Sequence, residues 1–393
     1  MINLIENTEQ LSNLCKIIEN QPFITIDTEF IREKTYYPRL CLLQVGCPET
    51  AAVIDPLAAE IDLSVFYKLL ANEKIVKVFH SGRQDIEIFH HLAGFIPAPL
   101  FDTQIAAAAC GFGEASSYET LVNKITLREI DKTCRYTNWS SRPLDKKQLE
   151  YALGDVTHLV DIYLYLKDYL EKNNRTDWIK EETELLCNPK LYECPPEEAW
   201  LRVKHHSRNP KFLTLLKELA AWREQRAQEH DVPRQLILRD ECLQSIAASW
   251  PCSVSELEKI RNIRKDIPAG KLGEEILEVI DKVKTMPAAD YICEDTGSYR
   301  SRGNTSLLQE LLRLLLKIKS QQHEVAPRLI ASEDELHDFA AGHDEVAFIR
   351  GWRNGVFGQD ACRLRAGDLG FRYDPASRGI LLLPAQNNDG SNS

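Results

Sequence analysis

The sequence predicts an α/β domain followed by two helical units, and three observations carry that prediction. Short β-rich runs alternate with helical periods as far as about Leu170. A charged, proline-punctuated stretch then ends at CPPEEAW, residues 194 to 200. Everything beyond it reads as helix until a polar tail. A length of 393 residues agrees, because it exceeds one ordinary domain and suggests two or three.

The β-rich runs are FITIDTEF, LCLLQVG, AAVIDP and KIVKVFH, all within residues 23 to 80, with the helical LSVFYKLLA between the last two. Further helical segments close the first domain, expected over residues 1 to 172, and residues 173 to 207 read as a linker. The first helical unit, 208 to 288, opens with NPKFLTLLKELAAWREQRAQEHDVP. This places Phe212, Leu215, Leu216, Leu219 and Trp222 on one face until Pro233 breaks the helix. AADYICEDTGSYRSRGNT marks a second linker, 289 to 304. SLLQELLRLLLKIKSQQH then opens a second helical unit, 305 to 380, whose leucine run is read as core rather than as a partner surface. Residues 381 to 393, rich in Asn, Asp, Gly and Ser, are expected to be disordered.

Composition narrows the class. With 44% hydrophobic and 27% charged residues, the chain resembles a soluble globular protein. No apolar run reaches the roughly 18 residues of a membrane helix, and MINLIENTEQ lacks the pattern of a secretory signal, so a cytoplasmic protein is expected. Eleven cysteines without a Cys-x-x-Cys pair read as reduced thiols. His90-His91 and His205-His206 read as surface pairs, because no third ligand stands at zinc spacing.

The net charge of −11 argues against a nucleic-acid partner until it is divided. Residues 1 to 200 hold 20 basic against 31 acidic residues, whereas residues 201 to 320 hold 21 against 17. An acidic half joined to a mildly basic helical half fits a metal-dependent site with an accessory binding surface.

The chemistry lies in the acids. On a strand Asp27 and Glu29 point the same way, which sets two carboxylates side by side. Among 59 acids in 393 residues, chance alone yields roughly nine acid-x-acid pairs, so the setting ITIDTEF carries the weight. Like charges on a half-buried strand need a cation. Asp85 stands just past the carboxyl end of the strand KIVKVF. RPLDKKQLEYALGDVTHLVDIYLYL is a helix with Asp145 and Gln148 as a capping box. Tyr151 and Asp155 share one face of it, and the period of Ala152, Val156, Leu159 and Tyr163 turns Asp155 inward. His80, Asp102 and Gln104 read first as strand-end and helix-cap residues.

FITIDTEF, KVFHSGRQDIEIF with FDTQIAA, and NWSSRPLDKKQLEYALGDVTHL together resemble the ribonuclease D family within the DEDDy 3′-to-5′ exonucleases. The helices from NPKFL to DECL resemble the HRDC module, and FIRGWRNGVFG resembles a second HRDC-like module. The resemblance implies a ribonuclease H-like domain, with a mixed sheet flanked by helices, followed by two all-α HRDC-type bundles. It implies two divalent ions, Mg²⁺ or Mn²⁺, with Asp27 bridging both, Glu29 and Asp155 completing the first and Asp85 supporting the second. Tyr151 would hold or orient the attacking water, since a phenol with a pKa near 10 is a poor base. It implies RNA as partner, with release of nucleoside 5′-monophosphates from tRNA precursors with 3′ extensions, and a monomer is favoured. Asn138 departs from the acid that the family more often places before the tryptophan, a matter of local positioning.

Arg135, Trp139 and Arg142 either grip a nucleotide or serve a plain loop, and the sequence leaves both open. Arg261, Arg264, Lys265 and Lys271 in RNIRKDIPAGK form the most basic candidate for RNA contact. A helicase sharing the HRDC module needs a phosphate-cradling G-x-x-x-x-G-K-[ST], which the chain lacks, and no polymerase-sized region follows the exonuclease motifs. A dead scaffold would have lost an acid, and all four stand.

Overall fold

This computed structural model describes residues 4–131, 134, 137–292 and 306–384. Among these, β1 (Leu4–Ile5), β2 (Phe23–Ile31), β3 (Arg39–Gly46), β4 (Ala51–Ile54), β5 (Val76–Phe79) and β6 (Leu100–Asp102) form one mixed sheet in the order β1-β4-β3-β2-β5-β6. β2 pairs antiparallel with β3 and parallel with β5, so the acid-bearing strand lies inside the sheet. The ladder slips at Glu29/Phe30, where Cys41 of β3 bulges out of register.

The period of two divides β2 between two cores. Ile24 and Ile26 pack with Leu43, Val45, Phe66 and Phe89 beneath α1 (Thr8–Ile18), α2 (Ser64–Leu70) and α3 (Arg83–Ala93). On the opposite face, Thr25 donates to the carbonyl of Val156, so Thr25, Asp27 and Glu29 turn toward another helix. After α4 (Thr103–Ala109) and α5 (Tyr118–Leu121), that helix, α6, runs Lys146–Lys172. The predicted capping box opens it: Asp145 accepts from the Gln148 N–H at 2.8 Å and Gln148 returns the bond at 3.0 Å. Its buried face is the expected one, including Ala152, Asp155, Val156, Leu159 and Tyr163.

The stretch expected as a linker, 173 to 207, is instead a packed connector with α7 (Lys180–Leu186) and short 3₁₀ turns. Ile179, Ala199 and Val203 are buried in it. Their spacing shows no helical period because each enters a core built by other elements.

The first helical unit comprises α8 (Pro210–Glu229), α9 (Arg234–Ile237), α10 (Asp240–Ser249), α11 (Val254–Leu257) and α12 (Lys271–Lys284). Leu215, Leu216 and Leu219 are fully buried, with Phe212 and Trp222 partly so, as their spacing predicts. The unit docks on the β2–β3 hairpin. The buried Glu224 receives the Tyr36 hydroxyl and a bidentate Arg234, and Asp231 Oδ1 accepts both the Tyr36 and Tyr37 N–H at 3.0 Å.

The second unit holds α13 (Leu307–His323), α14 (Pro327–Ile330), α15 (Glu333–Ala340), α16 (Gly351–Arg353) and α17 (Gln359–Ala366). It departs from the all-α expectation, because β7 (Leu369–Asp374) and β8 (Gly379–Pro384) close it as an antiparallel hairpin. Residues 381 to 384 therefore belong to a strand rather than to the expected tail. Phe371 and Leu382 reach a core, which a polar reading of the tail overlooked. The rest of that tail, and most of the expected linker 289 to 304, lie outside the described residues.

This unit shares its core with the α/β domain. Leu312, Leu315 and Leu316 of the leucine run join Ala106, Ile162 and Leu166 in one cluster. Arg175 donates to the carbonyls of Ala109 and His323 at 2.8 Å each, and Trp178 stacks on Trp352 at 4.3 Å. No helix among the described residues is long and apolar enough to cross a membrane.

Candidate active site

Strand β2 and helix α6 bring the acids together. Carboxylate oxygens of Asp27, Glu29 and Asp155 lie within 4.8 Å of one another. Asp85 stands outside this trio, buried in the first turn of α3, where the Thr28 hydroxyl donates to its Oδ1. The turn before it is made by Gly82, since a Cβ there would meet Phe79 Cβ at 2.4 Å. Asp102 braces the same turn, accepting from the N–H of Ser81 at 3.1 Å and of Gly82 at 2.8 Å while capping α4 through Gln104 N–H at 2.8 Å. The cap role expected for Asp102 is the one it has.

A cavity of about 200 Å³ opens over the carboxylates, bounded by Asp27, His80, Tyr118, Ile130, Tyr151 and Asp155. A second, of about 160 Å³, adjoins it through Ile130, Tyr151 and Asp155 and adds Asp131 and His158. Tyr151 thus stands at the wall between two recesses, on the same side of α6 as Asp155.

Electrostatics here disfavours the charged forms. Burial, then the charge of Asp155, raises Asp27 well above the usual carboxylate range, and the Thr28 N–H only partly offsets this. Burial, then the charge of Asp27, does the same to Asp85, against the Thr28 hydroxyl. Burial lowers His80, which keeps that imidazole neutral; its Nδ1 lies 3.0 Å from Thr103 Oγ1.

These residues fit a divalent cation. The donor set is all carboxylate oxygen, the chemistry of Mg²⁺ and Mn²⁺ sites. Gln44, directly across the ladder from Asp27, is fully buried, and neither polar atom of its side chain finds a protein partner. A buried amide left so costs about 1–3 kcal/mol, and Gln44 lines neither recess, so the fit rests on the carboxylate set itself.

Two of the candidate nucleotide contacts are spent inside the domain. Trp139 is 3% exposed and packs with Cys41, Leu42 and Ala152 at 6.1 Å from the Tyr151 ring, so it supports the tyrosine from below and offers no face to a base. Arg142 grips Asp55 through Nε and Nη2 at 2.6 and 2.7 Å, and also the carbonyls of Trp139 and Cys41. Both serve the plain loop role. Arg135 lies outside the described residues. Asn138 caps its own turn, accepting from Ser140 N–H at 3.1 Å.

Arg261, Lys265 and Lys271 are exposed on the first helical unit, and Arg264 is tied to the Leu236 carbonyl at 2.6 Å and to Asp266 at 3.1 Å. Sequence reasoning missed Thr25, Thr28 and Tyr118. The two threonines stood inside ITIDTEF as polar breaks in an apolar run, a readable signal; Tyr118 gave none.

The fold and site define a 3′-to-5′ exonuclease with an appended helical domain. Residues 2–171 match the 3′-5′ exonuclease family model, and residues 212–280 match the HRDC domain. The chain is 41% identical over 373 residues to ribonuclease D of Bartonella henselae, covering 94% of this chain and 92% of that one. It is 42% identical over 374 residues to ribonuclease D of Nitrobacter hamburgensis, covering 95% and 97%. The crystal structure of Escherichia coli RNase D superposes with a TM-score of 0.78 at 29% identity, covering 93% of this chain and 98% of that one. The chain belongs to the ribonuclease D family and is an exoribonuclease.

Proposed function

We propose that the enzyme removes 3′-terminal nucleotides from RNA as 5′-monophosphates with two divalent ions, Mg²⁺ or Mn²⁺. The observation that carries this reading is the convergence of Asp27, Glu29 and Asp155 within 4.8 Å, with Asp85 raised by burial and then by the charge of Asp27. Asp27, Glu29 and Asp155 would hold one ion, and Asp27 with Asp85 the other. Bound there, such ions neutralise the phosphodiester and lower the pKa of an attacking water. Tyr151, in the wall beside Asp155, orients that water by hydrogen bonding. Neutral His80 and Ile130 line the same cavity, where the terminal nucleotide would sit.

The natural substrates in this reading are tRNA precursors with 3′ extensions and other structured RNA. The Escherichia coli relative is described as an exoribonuclease involved in structured RNA processing, which supports the reading. Arg261, Arg264, Lys265 and Lys271 supply the accessory RNA surface, and the second helical unit is an HRDC-like module with a β-hairpin added. In this reading the protein is a cytoplasmic monomer, and free thiols at all ten described cysteines accord with the reducing compartment.

The test incubates the purified full chain with 3′-extended tRNA and matched DNA, with and without Mg²⁺ or Mn²⁺. Release of mononucleotides from RNA only when metal is present, lost in Asp155→Ala, is expected. Hydrolysis within a few-fold of wild type in EDTA or in Asp155→Ala would overturn the two-metal reading.

A further inference from the structure

Two hydroxyl groups grip three successive carbonyls of α6 around Asp155. Tyr118 Oη donates to the carbonyls of Asp155 at 2.7 Å and Gly154 at 3.1 Å, and Thr25 Oγ1 donates to that of Val156 at 2.8 Å. One hydroxyl comes from α5 and the other from β2, two residues before Asp27. These carbonyls lie mid-helix, where the i+4 N–H already serves each, so helix satisfaction does not call for the extra bonds. Packing alone does not call for them either. Thr25 is fully buried between Ile24 and Ile26, where valine has the same shape, and phenylalanine would fill the place of the Tyr118 ring.

The sheet is shaped to allow this approach. Gly46 pairs with Thr25 across the β2–β3 ladder, and a Cβ there would lie 2.7 Å from Thr25 Oγ1 and 3.1 Å from the Val156 carbonyl. Any side chain on Gly46 would push α6 off β2 at the level of Asp155.

We propose that Thr25 and Tyr118, with the space left by Gly46, are positioning residues that fix the height of α6 over β2 and so hold the Asp155 carboxylate against Asp27 and Glu29. The inference rests on reading these three acids as cation ligands. Asp27 and Glu29 ride on a paired strand, whereas Asp155 arrives on a separate helix whose apolar face alone would tolerate small slides. Outer contacts of this kind change metal affinity about 10–100-fold when removed.

The test measures Mn²⁺ binding to the full chain without RNA, by calorimetry and by the loss of the free-ion paramagnetic resonance signal. Thr25→Val and Tyr118→Phe should each weaken Mn²⁺ about ten-fold, and Thr25→Ser should return it to within about two-fold of wild type. Wild-type affinity in both variants, with binding lost in Asp155→Ala, would overturn the positioning role and leave the metal reading standing. Wild-type affinity in Asp155→Ala would overturn the metal reading and this inference with it. Should Thr25→Val fail to fold, Tyr118→Phe, which removes a single oxygen, decides.

Discussion

The hydroxyl of Thr28 donates to the carboxylate of Asp85, joining β2 to the first turn of α3. Thr28 lies between Asp27 and Glu29, so one tripeptide supplies two carboxylates of the trio and the hydroxyl that holds Asp85.

Thr28→Val should therefore act on Asp85 alone among the four acids. A hydrogen bond to a charged group contributes about 1.5–3 kcal/mol, less where burial keeps the acid partly protonated, so a loss of about 1 kcal/mol is expected. Thermal melts should show it, with Thr28→Ser near wild type, and the Mn²⁺ concentration for half-maximal activity should rise. An unchanged melt and metal requirement would leave Thr28 a packing residue.

Asp27 and Asp85 give metal-free stability a definite pH sign. Both hold protons more tightly folded than unfolded. From the ordinary carboxylate range near 4 up to their raised values, the folded chain carries more bound protons, so their contribution is full below that window and is lost as pH rises through it. Divalent ions compete for the same oxygens, and the rise in Tm on adding Mn²⁺ should grow with pH across the same window. Calorimetry in EDTA and in Mn²⁺ checks this; a Tm gain independent of pH would place the ion elsewhere.

Tyr151→Phe should lower kcat by about 10²-fold while leaving Mn²⁺ and RNA affinity near wild type, because the ring still packs on Trp139 and only the hydroxyl is lost. Single-turnover rates at saturating RNA separate the two effects. Equal losses in binding and turnover would mark Tyr151 as a packing residue.

RNA affinity should depend on the exposed basic residues of the HRDC domain. Deleting the helical half is a poor test, since Leu312 and Leu315 share a core with Ala106 and Ile162, and Glu224 receives Tyr36. Charge reversal at Arg261, Lys265 and Lys271 keeps the fold. On a catalytically inactive Asp85→Asn background with Ca²⁺, the slope of log affinity against log salt should become shallower by roughly 2. Fluorescence anisotropy reads the slope; an unchanged value would move the RNA surface elsewhere.

The pattern of local periods was enough to read the α/β domain, the helix carrying Tyr151 and Asp155 with its capping box, and the apolar face of α8. It also brought Asp27, Glu29, Asp85 and Asp155 to notice, because each breaks an apolar run or sits at an element's end, whereas Tyr151 was singled out by the family resemblance. Such signals are local: a strand's period of two and a helix's of 3.6 are written in neighbouring residues. Only the tertiary structure decided what Trp139 and Arg142 do, because residues near the motifs in sequence turned inward to Ala152 and Asp55. The core shared by the first and last units was likewise settled by partners more than a hundred residues away. The grip of Thr25 and Tyr118 on α6 belongs to the same class. A hydroxyl's function depends on the carbonyl it reaches, and the distance between two elements is fixed by packing and by the missing Cβ of Gly46, not by any period along the chain.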